Sequence, residues 1–167
     1  RQWVKNIFVF APLFFSPDLS RAGAFADVIL MFVAFCLVAS GLYCLNDFSD
    51  RDADKYHPEK RNRPVASGAV SVRLAIVLFL ILCGTGLLIG FGFTNGGWVL
   101  AVYCTLTVLY SFVLKKLAII DVLTIALGFV LRVYAGALAA GVQPTVWILV
   151  CTGMLALFIA LTKRRDD

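Results

Sequence analysis

Long apolar stretches alternate with short polar breaks along this chain. Apolar side chains dominate residues 26–45, 72–93, 98–114, 117–140 and 146–161, with a shorter run at 7–15. A helix needs about 20 apolar residues to cross the hydrocarbon core of a bilayer. The pattern therefore predicts about six spans. The run at 7–15 is either the tail of a longer helix or a half-embedded segment. Breaks are expected at Ser16-Pro17-Asp18, Asn95-Gly96-Gly97 and Gly141-Val142-Gln143-Pro144, where turn-forming residues cluster. Gly86 and Gly90 stand at GxxxG spacing, which predicts a close helix approach. The expected fold class is all-α, a polytopic transmembrane helix bundle forming a single domain over residues 1–167. Six spans leave only short loops, so neither a separate soluble domain nor a removable leader is expected within this sequence.

Composition agrees. Of 167 residues, 61% are apolar and 15% charged, against about 45–50% and about 25% in soluble domains. Disorder, a collagen-like repeat and most soluble enzymes are excluded. The 15 basic residues exceed the 10 acidic ones, for a net charge of +5. With spans alternating in direction, 13 basic residues fall on one side, only Arg21 on the other, and Arg132 within a span. Cytoplasmic loops collect Lys and Arg, so the basic side is expected in the cytoplasm, the protein in the cell membrane, and no nucleic acid is needed to explain the charge. The five cysteines lie within apolar runs without metal-type spacing and read as small buried hydrophobes.

The polar stretch Asn46-Asp47-Phe48-Ser49-Asp50-Arg51-Asp52-Ala53-Asp54 follows the second run directly. If the helix continues, Asp47, Asp50 and Asp54 fall within an arc of roughly 60° over about 10 Å of axis, while Asp52 points away. Like charges on one stripe repel, and the more so at the mouth of an apolar bundle. Divalent cations remove that cost, and oxygen-only ligands favour Mg²⁺, Mn²⁺ or Ca²⁺. Mg²⁺ takes one or two protein carboxylates and completes its shell with water and substrate phosphates. The alternative is a solvated acidic loop neutralised by neighbouring cations. The next residues, His57-Pro58-Glu59-Lys60-Arg61-Asn62-Arg63-Pro64, supply such cations. Carboxylates for metal beside Lys and Arg for oxyanions suit a diphosphate leaving group.

The pattern Asn46-Asp47-x-x-Asp50-x-x-x-Asp54 resembles the NDxxDxxxD signature of the UbiA superfamily of intramembrane prenyltransferases. The continuation through His57-Pro58, Lys60 and Arg63-Pro64 to Ala66-Ser67-Gly68 is most similar to the decaprenyl-phosphate phosphoribosyltransferase branch. Gln2-Trp3-Val4-Lys5-Asn6, Tyr110-Ser111 through Leu114-Lys115 to Asp121, Gly128-Phe129-Val130-Leu131-Arg132 and Lys163-Arg164-Arg165 match as well. The resemblance implies a bundle of about nine helices around a cavity open to the cytoplasm, of which about six are expected here. Aromatic-acceptor relatives carry a second acidic DxxxD motif near the position of Lys163, where this chain has a basic triplet before Asp166 and Asp167.

Several polar residues lie apart from the acidic stretch. Asp121 and Arg132 are about 20° apart around one helix and about 16 Å apart along it. Charged residues within a span face the bundle interior or a wet cavity and are site candidates by default; the alternative is an interhelix ion pair. Lys115 reads either as a phosphate contact or as a snorkelling anchor, and Tyr110 as a site residue or an interface aromatic. His57, the lone histidine, is expected to make a phosphate or structural contact. Most of the 14 Phe face lipid.

The branch resemblance implies transfer of 5-phosphoribose from phosphoribosyl diphosphate to a polyprenyl phosphate, with release of diphosphate. Asp47, Asp50 and Asp54, helped by Asn46, would hold Mg²⁺. Lys5, His57, Lys60, Arg63, Tyr110, Lys115, Asp121, Arg132, Lys163 and Arg164 are the expected substrate-binding residues. A second reading keeps the metal chemistry but puts the diphosphate on the isoprenoid and prenylates an aromatic acceptor. The His57-Pro58-x-Lys60 extension and the basic Lys163 cluster favour the phosphoribosyl version. A third reading is a small transporter with Asp121 and Arg132 lining an ion path.

Overall fold

The computed structural model describes residues 2–15, 23–116 and 118–166; the break expected at residues 16–18 lies outside these. A 3-10 helix, Gln2–Phe10, runs into α1, Ala11–Phe15. The longer helices are α2, Ala24–Lys55; α3, Val72–Phe93; α4, Gly97–Phe112; α5, Ala118–Ala140; and α6, Val146–Asp166. Short 3-10 turns cover Lys60–Asn62 and Leu114–Lys116. No strand occurs among the described residues.

Three described helices are long and apolar enough to cross a bilayer: Ala24–Lys55, Val72–Phe93 and Ile119–Ala140. Trp3–Phe15, Gly97–Phe112 and Val146–Thr162 are apolar but shorter, so the helices expected from the six runs are present and three of them have full spanning length. The 16 residues of α4 rise only about 24 Å at 1.5 Å per residue, against about 30 Å of hydrocarbon. The chain is a multi-pass membrane protein.

The main departure from the hydropathy reading is α2. Its apolar run ends near residue 45, but the helix continues ten residues further, through Asp47, Asp50 and Asp54 to Lys55. No Gly or Pro interrupts that stretch before Pro58, so backbone hydrogen bonding propagates after the apolar pattern has stopped. The acidic stretch is therefore helical.

Helix α2 is the centre of the bundle and packs against α3, α4, α5 and the N-terminal 3-10 segment; α6 packs on α5. The core joins Met31, Phe35 and Val38 of α2 to Val99, Leu100 and Tyr103 of α4, Ala135 and Ala139 of α5, and Val9. The GxxxG pair divides its work. A Cβ on Gly86 would meet Val38 Cγ2 at 2.7 Å and Ala34 O at 2.8 Å on α2, whereas one on Gly90 would meet Leu100 Cδ2 at 3.0 Å on α4. Gly136 is tighter still: a Cβ there would collide with the Val9 carbonyl oxygen, so α5 and the N-terminal segment touch backbone to backbone.

The loop between α2 and α3 folds back onto the bundle. Val65 and Ala66 are buried. Ser67 N donates to Arg63 O at 2.8 Å, and Gly68 turns the chain with φ +82°. Ser71 Oγ accepts from Leu74 N at 3.3 Å and caps α3. These contacts pin Arg63 against the last turns of α2.

Candidate active site

Helical periodicity brings the acids of α2 to one face, and the folded-back loop and the end of α4 supply cations to that face. Arg63 Nη1 donates to Asp54 Oδ2 at 2.9 Å and to Asp47 Oδ1 at 3.3 Å. Asp54 is the most enclosed of the three, its side chain 6% exposed, against 24% for Asp47. Lys115, on the turn after α4, pairs with Asp50 and reaches Ser49 Oγ at 3.5 Å. Asn46 Nδ2 donates to Asp50 Oδ2 at 3.1 Å, one helical turn away. Ser49 Oγ donates to Ser111 O at 3.1 Å and ties α2 to α4 beside the site.

The three carboxylates thus lie along one stripe, Asp47 and Asp54 bridged by one guanidinium and Asp50 held separately by an ammonium. Among the described residues no three acidic, His or Cys side chains form a metal cage. The donor set still suits a divalent cation of the hard, oxygen-seeking kind: only carboxylate and amide oxygens are present, and Mg²⁺ uses one or two protein carboxylates with phosphate oxygens and water filling the rest.

Of the stripe, Asp50 opens onto a cavity of about 830 Å³ between α2, α4, α5 and α6, which Asp47 and Asp54 do not line. Lys5, Asn46, Asp50, Arg63, Tyr110, Lys115, Asp121 and Arg132 all line it, so eight of the residues singled out from sequence surround one cavity. A second, shallower hollow is lined by Asp47, Arg63, Asn46 and Trp3. Along α5 the lining positions are Asp121, Thr124, Ile125, Gly128, Phe129 and Arg132, the 3.6-residue stripe that a helix turns to a single side. Asp121 Oδ1 accepts from Tyr110 OH at 2.8 Å. Ala156, Ile159 and Ala160 of α6 close the apolar side.

Four expected residues do not line the cavity: Asp47 and Asp54, which pair with Arg63, and His57 and Lys60. His57 and Lys60 are exposed on the turn beyond the end of α2, where His57 Nδ1 accepts from Glu59 N at 3.3 Å. Neither lines the cavity. Helix α2 ends at Lys55, and the following turn projects away from the stripe before Arg63 returns to it. The side chains of Lys163 and Arg164 lie outside the described residues.

Arg132 does not form the interhelix ion pair that was one reading of its position. Among the described residues no carboxylate lies within ion-pair distance of it. Its Nε donates to Asn6 Oδ1, its Nη1 to Gly128 O and its Nη2 to Tyr103 OH, each at 2.8 Å. Its guanidinium carbon lies 4.6 Å from the ring centre of Tyr103, 5.5 Å from Phe129 and 5.8 Å from Phe35. Asn6 and Tyr103 were not singled out from sequence. The available signal was an amide just ahead of the first apolar run and a phenol within the fourth, each requiring a partner once buried.

Comparison with known proteins places this arrangement. Residues 7–167 match the model of the UbiA prenyltransferase family. The chain is 37% identical over 169 residues to a decaprenyl-phosphate phosphoribosyltransferase of Corynebacterium glutamicum, covering 98% of this chain and 51% of that protein. It is also 37% identical over 169 residues to the enzyme of the same name from Mycolicibacterium smegmatis, covering 98% and 53%. The chain therefore spans about half the length of the curated relatives it matches. Its fold superposes on a UbiA homolog from Archaeoglobus fulgidus bound to DMAPP and Mg²⁺ with a TM-score of 0.79 and 21% identity, over 93% of this chain and 57% of that one. The helical bundle, the acidic stripe at the cavity mouth and these likenesses agree: the chain belongs to the UbiA prenyltransferase family.

Proposed function

We propose that the protein is an integral-membrane transferase that moves 5-phosphoribose from phosphoribosyl diphosphate to a polyprenyl phosphate and releases diphosphate. The observation that carries this reading is the convergence of Asp50, Asn46, Arg63 and Lys115 on one cavity wall, with Asp47 and Asp54 directly behind Arg63. The likeness to decaprenyl-phosphate phosphoribosyltransferases supports the choice of substrates. Family membership leaves the transporter reading without support.

In this mechanism the C1–O bond to diphosphate breaks with its electron pair leaving on the diphosphate, and an oxygen of the lipid phosphate forms the new bond to C1. Asp47, Asp50 and Asp54, with the Asn46 amide oxygen, would hold Mg²⁺, which supplies Lewis-acid stabilisation of the departing charge. Arg63 and Lys115 offer N–H donors to the diphosphate oxygens. Tyr110 and Asp121, joined at 2.8 Å, orient the sugar at the mouth. Ile125, Phe129 and Ile159 give the cavity an apolar side that excludes water and accepts the start of an isoprenoid chain. The attacking phosphate oxygen is already ionised and needs no general base, in keeping with the position of His57 off the cavity. The mouth faces the cytoplasm, since the acids share their end of the bundle with Arg51, Lys55, Arg73 and Lys115.

The test offers membranes containing the full-length protein labelled phosphoribosyl diphosphate with polyprenyl phosphate, and in parallel a polyprenyl diphosphate with an aromatic acid. Consumption of the first donor with formation of a labelled lipid supports the proposal. Consumption of the polyprenyl diphosphate alone replaces it with aromatic prenylation.

A further inference from the structure

The strongest unexplained feature is the charge on Arg132. It lies mid-helix in α5, about 16 Å along the axis from Asp121, and is only 6% exposed. A buried cation inside a span is costly unless something compensates it. Its partners Asn6, Gly128 and Tyr103 are all neutral, and three aromatic rings provide partial compensation. A guanidinium carries five N–H donors. Three are used, which leaves one on each terminal nitrogen. Arg132 also lines the large cavity, with Gly128 beside it carrying no side chain. A Cβ on Gly128 would come to 3.4 Å from Arg132 Nη1, so a side chain here would sit directly against the guanidinium. The cations at the mouth have acidic partners, Arg63 with Asp47 and Asp54 and Lys115 with Asp50, whereas Arg132, deeper on α5, has none among its hydrogen-bond partners.

The geometry points to a second anion subsite at Arg132, separate from the acidic stripe, that takes a phosphate monoester through the two remaining guanidinium N–H groups. This inference rests on the proposed reaction, in which both substrates carry such a group: the 5-phosphate of the sugar donor and the phosphate of the lipid acceptor. The diphosphate belongs at the other end, with Asp50, Arg63 and Lys115.

Asn6→Asp provides the sharpest test. It is nearly isosteric and places a carboxylate on Arg132 Nε, neutralising the guanidinium from within; Cys36, which now accepts from Asn6 Nδ2 at 3.3 Å, is able to donate its S–H instead. Binding of ribose 5-phosphate, farnesyl phosphate and magnesium diphosphate is measured by calorimetry on the full-length protein in nanodiscs, with ribose and farnesol as phosphate-free controls. In both Asn6→Asp and Arg132→Gln, affinity for one monoester is expected to fall about tenfold or more, while affinity for magnesium diphosphate stays within about twofold of wild type and Asn6→Asp keeps the wild-type melting temperature. The monoester that loses affinity identifies the source, sugar donor or lipid acceptor. Unchanged affinity for both monoesters in Asn6→Asp overturns the inference, as does parallel loss of all three ligands, which marks Arg132 as a packing hub only. Arg132-dependent monoester binding without any phosphoribosyl transfer sinks the proposed reaction and leaves the subsite standing; transfer with no Arg132 dependence does the reverse.

Discussion

Replacing Arg63 by Gln removes the cation that holds two carboxylates together. The loss is bounded from both sides by burial. An exposed ion pair contributes about 0–1 kcal/mol, and stripping the partner from a fully buried charge costs about 3–5 kcal/mol. Asp54 lies near the buried limit, but Arg63 is itself 35% exposed and Asp47 24%, so a cost of about 2 kcal/mol is expected between those limits. For a chain of this size that corresponds to a fall in Tm of about 4–8 °C. The damage is local, because Arg63 anchors the α2–α3 loop: its guanidinium grips α2 while its carbonyl accepts from Ser67 N. Thermal unfolding in detergent, with limited tryptic cleavage at Lys60 and Arg61 as a second readout, measures both effects. The variant should melt lower and be cut faster in the loop, and added Mg²⁺ should recover part of the lost Tm by binding the exposed Asp47 and Asp54 carboxylates. A variant that melts within 1 °C of wild type, with unchanged cleavage, refutes the claim that Arg63 organises the acidic stripe.

Further outcomes follow from the same geometry. Asp50→Ala should reduce phosphoribosyl transfer at least about 100-fold, the scale of losing a main electrostatic contact to the leaving group, and unchanged turnover in a membrane assay refutes its place in the site. Lys115→Gln should raise KM for the diphosphate donor more steeply at low salt than at high salt, as Coulombic contacts are screened by ions; salt-independent kinetics refute the contact. Gly136→Ala drives a methyl into the Val9 carbonyl and should destabilise the fold by about 3 kcal/mol, the upper range for overpacking, read as lower Tm and yield. Removing divalent ions with EDTA should abolish transfer, and Mg²⁺ should restore it; full activity in EDTA contradicts the role given to the three carboxylates.

Most of the bundle was legible in the hydropathy pattern because a membrane solvent imposes one rule on every span: the backbone bonds to itself and the apolar side chains face outward. Elements set by polar contacts were harder to read. The apolar run stops near residue 45, yet α2 continues to Lys55, since hydropathy reports the environment and helicity depends on the backbone. The acids were recognised as a stripe because their spacing is local. Arg63 was recognised only as a cation near them, for its bridge between Asp47 and Asp54 depends on a turn through Val65, Ala66 and Gly68 that no periodicity announces. His57 and Lys60 look equivalent to Arg63 in sequence, and the same turn leaves them outside. The pairing of Asn6 and Tyr103 with Arg132 is not legible in sequence, because Arg132 is 126 residues from one and 29 from the other.

The acids alone do not choose between the two donors, since a diphosphate leaves in either case. The cavity provides a basis for choosing. A prenyl diphosphate concentrates its charge at one end and needs cations only at the mouth. Phosphoribosyl diphosphate carries charge at two separated positions, and its lipid phosphate acceptor brings a third. This cavity has basic side chains at both levels of α5: Lys115 near Asp121, and Arg132 about three turns deeper, at about 3.6 residues per turn. A buried guanidinium surrounded by neutral partners has no evident use for a substrate whose far end is hydrocarbon, and it suits a substrate pair with phosphate to place inside the bundle. The distribution of cations therefore favours the phosphoribosyl reading on physical grounds that the acidic motif alone does not supply.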